Sequence, residues 1–149
     1  MILPVSNSID LDFDKQTVWK IISKPGNLNY VHPFCRSNTV VSWDKDKHED
    51  ILEYLNGVTL HRKFYKWDEG KGYELNIGRE NGKKSKLKIT VYPHVFSNRS
   101  RIIYFITHAL FINPGLKKYL SSVLRGYKWY LENKQPVPKN QFGKHKWFS

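Results

Sequence analysis

The spacing of apolar residues along this chain changes period three times. Ile2, Leu3, Val5, Ile9 and Leu11 alternate loosely and predict a first strand; Val18, Trp19, Ile21 and Ile22 then make a short helical face. Asp14 is placed to cap that helix and Pro25-Gly26 to end it. Residues 27–31 predict one further turn, stopped by His32-Pro33. From residue 38 the period becomes two, and residues 38–44, 50–55, 58–67, 72–79, 84–94 and 100–111 each predict a strand. Their connectors are short and turn-like, with Asn56-Gly57 and Asn81-Gly82 the strongest hairpin signals. Links this tight exclude parallel crossovers, so the strands are expected to form an antiparallel meander. Leu87, Ile89 and Val91 alternate with Lys86, Lys88 and Thr90, and Tyr73, Leu75 and Ile77 with Glu74 and Asn76, which predicts a sheet covered on one face only.

The period returns to 3.6 in Asn113–Asn133, NPGLKKYLSSVLRGYKWYLEN, which predicts one long amphipathic helix. Asn113 would cap it, and Pro114 sits where a missing N–H costs nothing. Leu116, Tyr119, Leu120, Val123, Leu124, Tyr127, Tyr130 and Leu131 fall on one face, with Lys117, Lys118, Ser121, Arg125 and Lys128 on the other. Tyrosines on the buried face suit a partly polar cavity better than a dry core, because their hydroxyls need partners when covered. Gly126, at the edge of that stripe, costs about 1 kcal/mol relative to alanine in a helix interior, and so marks close packing or space left for something else.

Composition narrows the class. A chain of 149 residues, 40% of them hydrophobic, is the size of one domain with one core. Its only cysteine, Cys35, excludes an intrachain disulfide, and the opening MILPVSNSIDLDF lacks the basic and apolar regions of a signal peptide. No apolar run approaches the roughly 18 to 20 residues that cross a bilayer; residues 102–112 are interrupted by Thr107 and His108. A cytoplasmic protein without a transmembrane segment is the expectation. The net charge of +12 would favour an anionic partner, but its lysines and arginines are scattered and follow no nucleic-acid-binding motif. A solvated basic surface is therefore favoured over a nucleic-acid partner.

The order of strand, two short helices, six-stranded meander and long closing helix resembles the helix-grip fold of the START and Bet v 1 superfamily, also called SRPBCC or polyketide cyclase/dehydrase-like. The segments that carry the resemblance are FDKQTVWKIISKPGNLNYVHP, with its Val-Trp pair and proline-marked second helix, and the closing LKKYLSSVLRGYKWYLE. The resemblance implies an α+β fold in which an antiparallel, curved, seven-stranded sheet wraps a long C-terminal helix around a hydrophobic cavity. It covers residues 1–133 and leaves 134–149 as a basic tail. Members of that superfamily bind lipids, sterols, plant hormones, and quinone-like or polyketide molecules, and a minority are cyclases or dehydratases. The two-histidine, one-carboxylate constellation of the aromatic-dioxygenase branch is not found, so no iron site, metal or other cofactor is expected.

Candidate chemistry is sparse. His32-Pro33-Phe34-Cys35 would lie near a cavity mouth, but lacks the second half of a metal site or a catalytic pair, and a structural turn is the favoured reading. On residues 58–67, parity puts Leu60, Arg62 and Phe64 on one face and His61, Tyr65 and Trp67 on the other. If the first set is inside, Arg62 needs a carboxylate, for which Glu53 or an acidic ligand could serve. His108 and Tyr104 share parity with Ile102 and Ile106; Ile103 and Phe105 make the opposite face nearly as apolar, which leaves a homodimer open. The tail composition is that of a flexible segment, yet Phe142, Trp147 and Phe148 favour docking.

These readings point to a small, mainly hydrophobic ligand, lipid-, quinone- or polyketide-like, held between the sheet and the C-terminal helix. The candidate ligand contacts are Tyr54, Arg62, Phe64 and Tyr73 on the strands, His108, and Tyr119, Val123 and Tyr127 on the helix. His32, Phe34 and Cys35 are assigned to the mouth. The alternatives are a cyclase- or dehydratase-type enzyme using a His or Tyr in the same cavity, and a basic interaction protein. Binding leads, because no acid and base pair stands at a defined spacing.

Overall fold

Turn-rich links leave no room for crossovers, and every strand pairing in the structure is antiparallel. The computed structural model describes residues 4–94, 97–107 and 113–149. Its elements run β1 (Val5–Leu11), α1 (Lys15–Ile22), α2 (Leu28–Val31), β2 (Cys35–Asp44), β3 (Lys47–Tyr54), β4 (Thr59–Asp68), β5 (Gly72–Gly78), β6 (Lys84–Pro93), β7 (Ser100–Thr107) and α3 (Asn113–Asn133). They form one seven-stranded sheet in the order β1-β7-β6-β5-β4-β3-β2, with the meander running from β2 to β7 and β1 closing the far edge. This is the α+β helix-grip arrangement. The Asn113 capping side chain and His108 lie outside the described residues.

The one-sided pattern of the strands is met by the stripe on α3. Leu52, Leu75, Ile89 and Ile102 on the inner face, and Leu120, Leu124 and Tyr127 on the helix, are almost fully buried, each apolar side chain contributing about 1.5–3 kcal/mol. Curvature comes from register shifts in β2, between Cys35 and Ser37 and between Val40 and Ser42, and in β4, between Phe64 and Lys66. The β4 shift corrects the simple parity of that strand. Trp67 moves to the inner side, where it stacks on Tyr73 and on His48. Tyr65 stays outside, half exposed.

Local polar chemistry holds the small helices in place. The Asp14 carboxylate accepts from the Thr17 amide at 2.7 Å and starts α1. One carboxylate, Glu69 in the β4–β5 turn, accepts the indole N–H of both Trp19 and Trp67, at 2.9 and 2.8 Å, and the Trp43 indole donates to the Ser23 carbonyl at 3.0 Å. Helix α2 is tied to β2 by a reciprocal pair: Asn29 accepts from the Asn38 amide at 2.8 Å and donates to the Asn38 carbonyl at 2.9 Å.

The tail, residues 134–149, packs back on the domain. The Val137 and Asn140 amides donate to the Tyr30 and Pro33 carbonyls at 2.8 and 2.9 Å, and the Lys139 ammonium donates to the Cys35 carbonyl. Farther on, His145 Nδ1 accepts from the Trp147 amide, so Nε2 carries the proton donated to the Gly115 carbonyl at 2.8 Å. Asn56 in the β3–β4 turn donates to the Trp147 carbonyl at 2.7 Å. Val137, His145 and Phe148 are buried, Phe142 and Trp147 partly so.

Gly126 is a point of close approach. A Cβ there would overlap the Val31 carbonyl of α2, a backbone atom that cannot swing aside. Gly126→Ala is therefore expected to lose about 1–3 kcal/mol to overpacking, more than the roughly 1 kcal/mol gained in helix propensity. Urea unfolding would register a lower midpoint at an unchanged slope.

Candidate functional site

Between α3 and the inner face of the sheet lies a cavity of about 410 Å³, within the range of roughly 300–1,000 Å³ that small-molecule sites occupy. Much of its wall is aliphatic, including Leu52, Leu60, Leu87, Ile106, Leu120 and Val123, and the tail adds Trp147 and Phe148. The basic residues Arg79 and Lys83, from the β5–β6 connection, and the Ser85 hydroxyl also border it. Among the described residues, none that lines it carries a carboxylate.

The interior polar patch is centred on Arg62. Its guanidinium, 3% exposed, forms a two-pronged pair with Asp50, which is fully buried: Nε and Nη2 donate to the two carboxylate oxygens at 2.7 and 2.5 Å. Burial works against the Arg62 charge, but Asp50 outweighs it and leaves the guanidinium pKa raised. The two charges cancel. Asp50 sits directly across from Arg62 in the β3–β4 ladder, which is why this carboxylate, and not Glu53, is the partner. Glu53 faces Arg36 at the surface instead.

Two phenol clusters reach the same space, one through Tyr54 and Tyr119 and the other through Tyr104. His32 Nδ1 accepts from the Phe34 amide at 3.1 Å, which puts the proton of the neutral ring on Nε2, 2.8 Å from the Tyr119 hydroxyl. The Tyr119 hydroxyl is in turn 2.8 Å from that of Tyr54. In the second cluster the Tyr104 and Tyr127 hydroxyls meet at 2.8 Å. Burial raises the pKa of Tyr54, Tyr104, Tyr119 and Tyr127, and all four stay protonated. Burial, with the Arg62 and Lys139 charges pushing the same way, brings His32 down from 6.5 to about 3. The patch therefore carries no net charge at neutral pH.

Tyr54, Arg62, Tyr119 and Val123 stand on the cavity wall. Phe64, Tyr73 and Tyr127 lie behind it: Phe64 and Tyr73 belong to the aromatic cluster with Trp19 and Trp67, and Tyr127 acts through Tyr104. His108 lies outside the described residues. The segment expected at a mouth is closed, with His32, Phe34 and Cys35 at most 3% exposed. The tail covers it, bringing His145 against Phe34 and Lys139 onto the Cys35 carbonyl. His32 nevertheless lines the cavity, from a buried position. Burial pushes the Cys35 thiol up to about 11, leaving it a poor nucleophile. Among the described residues, no three His, Cys, Asp or Glu side chains gather where a metal could be held.

Sequence reasoning missed Asp50, Tyr104 as a lining residue, and the place of Trp147 and Phe148 on the cavity wall, although it favoured docking of the tail. A signal for Asp50 was present: it shares parity with Leu52 and Tyr54, an acid on an apolar face.

No protein-family model and no curated relative matches the sequence. Solved structures do match in shape. XoxI from Bacillus cereus superposes with a TM-score of 0.72 at 14% identity, over 89% of this chain and 98% of that one. A START superfamily protein from Mycobacterium smegmatis gives 0.64 at 13%, over 89% and 96%. DynU16, a protein of the dynemicin biosynthetic locus, gives 0.74 at 9%, over 89% of this chain and 48% of DynU16. The chain therefore has the START-like helix-grip fold. Among the described residues, no helix is long and apolar enough to cross a membrane.

Two outcomes follow from the patch. A base with its folded-state pKa lowered from 6.5 to about 3 binds its proton more readily unfolded, so this contribution to stability is intact above about pH 6.5 and declines as pH falls toward 3. The loss of stability between pH 7 and pH 5, measured by urea unfolding, is expected to be smaller in His32→Gln than in the parent. Asp50→Asn, which strands a buried guanidinium, is expected to cost about 3–5 kcal/mol, and Asp50→Leu/Arg62→Met to recover much of it.

Proposed function

We propose that this START-like fold serves to bind a small, mainly hydrophobic molecule, lipid-, quinone- or polyketide-like, in the cavity between the sheet and α3. The observation that carries the reading is the aliphatic cavity of about 410 Å³ around a polar patch whose charges cancel. Burying an apolar ligand there releases its surface from water at about 25 cal/mol per Å², and a few fixed polar groups orient it. Tyr54, Arg62, Tyr119 and Val123 are the proposed contacts among the residues singled out from sequence, with Tyr104 and Phe148 added.

Proton-transfer chemistry has less support. A general base needs a free lone pair near the ligand, and His32 uses one ring nitrogen to accept from Phe34 while the other holds its proton against Tyr119. Asp50 is engaged through both oxygens by Arg62. Carriage or sensing of the molecule is favoured over turnover.

Native and denaturing mass spectrometry of the protein purified from its own source cells tests this. The expected result is a small molecule that leaves on unfolding and is lost or strongly reduced in Val123→Trp, whose indole would project from the cavity wall and take up part of the space. A ligand retained at full occupancy in folded Val123→Trp would place binding elsewhere.

A further inference from the structure

Counting hydrogens in the polar patch sharpens the ligand. The His32, Tyr119 and Tyr54 chain has three donor hydrogens, one on the ring and one on each phenol, but only two links. Two arrangements satisfy it. Either Tyr119 donates to Tyr54 and the Tyr54 O–H is left over, or Tyr54 donates to Tyr119 and the Tyr119 O–H is left over. Both phenols are on the cavity wall, and among the described residues neither has another hydrogen-bond partner.

The second cluster repeats the arithmetic with two hydroxyls and one link. Tyr127 is fully buried and off the wall, whereas Tyr104 is on it. If Tyr104 donated, the Tyr127 hydrogen would be sealed in without a partner, a costly arrangement. Donation from Tyr127 to Tyr104 is favoured, and it turns the Tyr104 O–H toward the cavity. The patch thus presents two phenolic donors. The strongest acceptor nearby, Asp50, is engaged by Arg62, and the Arg62 charge is already balanced.

We propose, resting on the ligand-cavity reading above, that the bound molecule presents a neutral oxygen acceptor, the carbonyl of a ketone, ester or quinone, to the hydroxyls of Tyr104 and of the Tyr54–Tyr119 pair. A carboxylate in that position would bring a second negative charge to an arginine that Asp50 has already neutralised, and would be desolvated without a counter-charge. A hydrocarbon would leave two buried O–H groups without acceptors. A neutral carbonyl satisfies both constraints.

The test uses three probes of one shape, 2-acetylnaphthalene, 2-ethylnaphthalene and 2-naphthoate, titrated by intrinsic fluorescence or calorimetry against the full chain. The ketone is expected to bind at least about fivefold more tightly than the hydrocarbon, the factor that one neutral hydrogen bond supplies. That advantage should shrink in Tyr54→Phe/Tyr119→Phe and disappear when Tyr104→Phe is added, while hydrocarbon affinity holds. Single Tyr54→Phe should keep most of the advantage, because Tyr119 then turns its own hydrogen to the ligand. A second readout needs no variant: the carbonyl stretch of the ¹³C-labelled ketone on the parent protein should fall below its value in hexane. Equal binding of ketone and hydrocarbon, an unshifted stretch, or a tighter naphthoate whose affinity drops in the same Phe variants would overturn the carbonyl assignment and leave the cavity reading standing. No binding of any probe would overturn both.

Discussion

A sheet with one apolar face must be covered, and here a single long helix does most of the covering. Seven strands about 4.8 Å apart span roughly 29 Å, while a helix with its side chains is only about 10–12 Å across. No flat packing reconciles those widths. The sheet curls around α3, helped by the irregular registers in β2 and β4, and what the helix cannot reach is filled by α1, α2 and the tail or left as space. The cavity of about 410 Å³ is a consequence of that mismatch. Tyrosines on α3, where a bundle would carry leucine, give the residual space its polar patch.

Charge inside such a space is costly, and the chain neutralises it locally. Arg62 and Asp50 face each other across one ladder, so the pair forms without long-range assembly, and both oxygens of the acid are engaged. Burial holds the histidine that lines the cavity neutral, and its own turn orients it, since the amide two residues on donates to its Nδ1. His145 in the tail makes the same kind of local hydrogen bond, its Nδ1 accepting from the Trp147 amide. Donors on phenols are what remain for a visitor. That chemistry suits the uncharged acceptor proposed above.

The tail is the fourth wall of the domain. Phe148 stacks on Tyr54 with ring centres 4.2 Å apart and lies 4.7 Å from Tyr119, so the last residues bear directly on the phenols that line the cavity. Trp147 covers Gly115 at the start of α3, where a Cβ would collide with the indole. Closing the His32 to Cys35 side in this way leaves the Arg79 and Lys83 region as the bordering stretch richest in polar side chains.

Much of the fold was legible in the sequence because local periodicity carries it. Alternation in 84–94, the Asn-Gly turns, Asp14 before the first helix and the long stripe from Leu116 to Leu131 depend only on neighbours in the chain, and strands joined by tight turns have one way to pair. The site was legible in part: Tyr54, Arg62, Tyr119 and Val123 fall on apolar faces that any closed form of this fold turns inward. What the sequence by itself determined, then, was the set of elements and their buried faces. Only tertiary structure decided that Trp67 joins the inner side, that Asp50 rather than Glu53 answers Arg62, that the expected mouth is sealed and that Tyr104 faces the cavity. Each of these turns on a bulge, a cross-strand register or the docking of a distant tail: parity puts Asp50 and Tyr104 on apolar faces, but what each one meets depends on residues far apart in the chain.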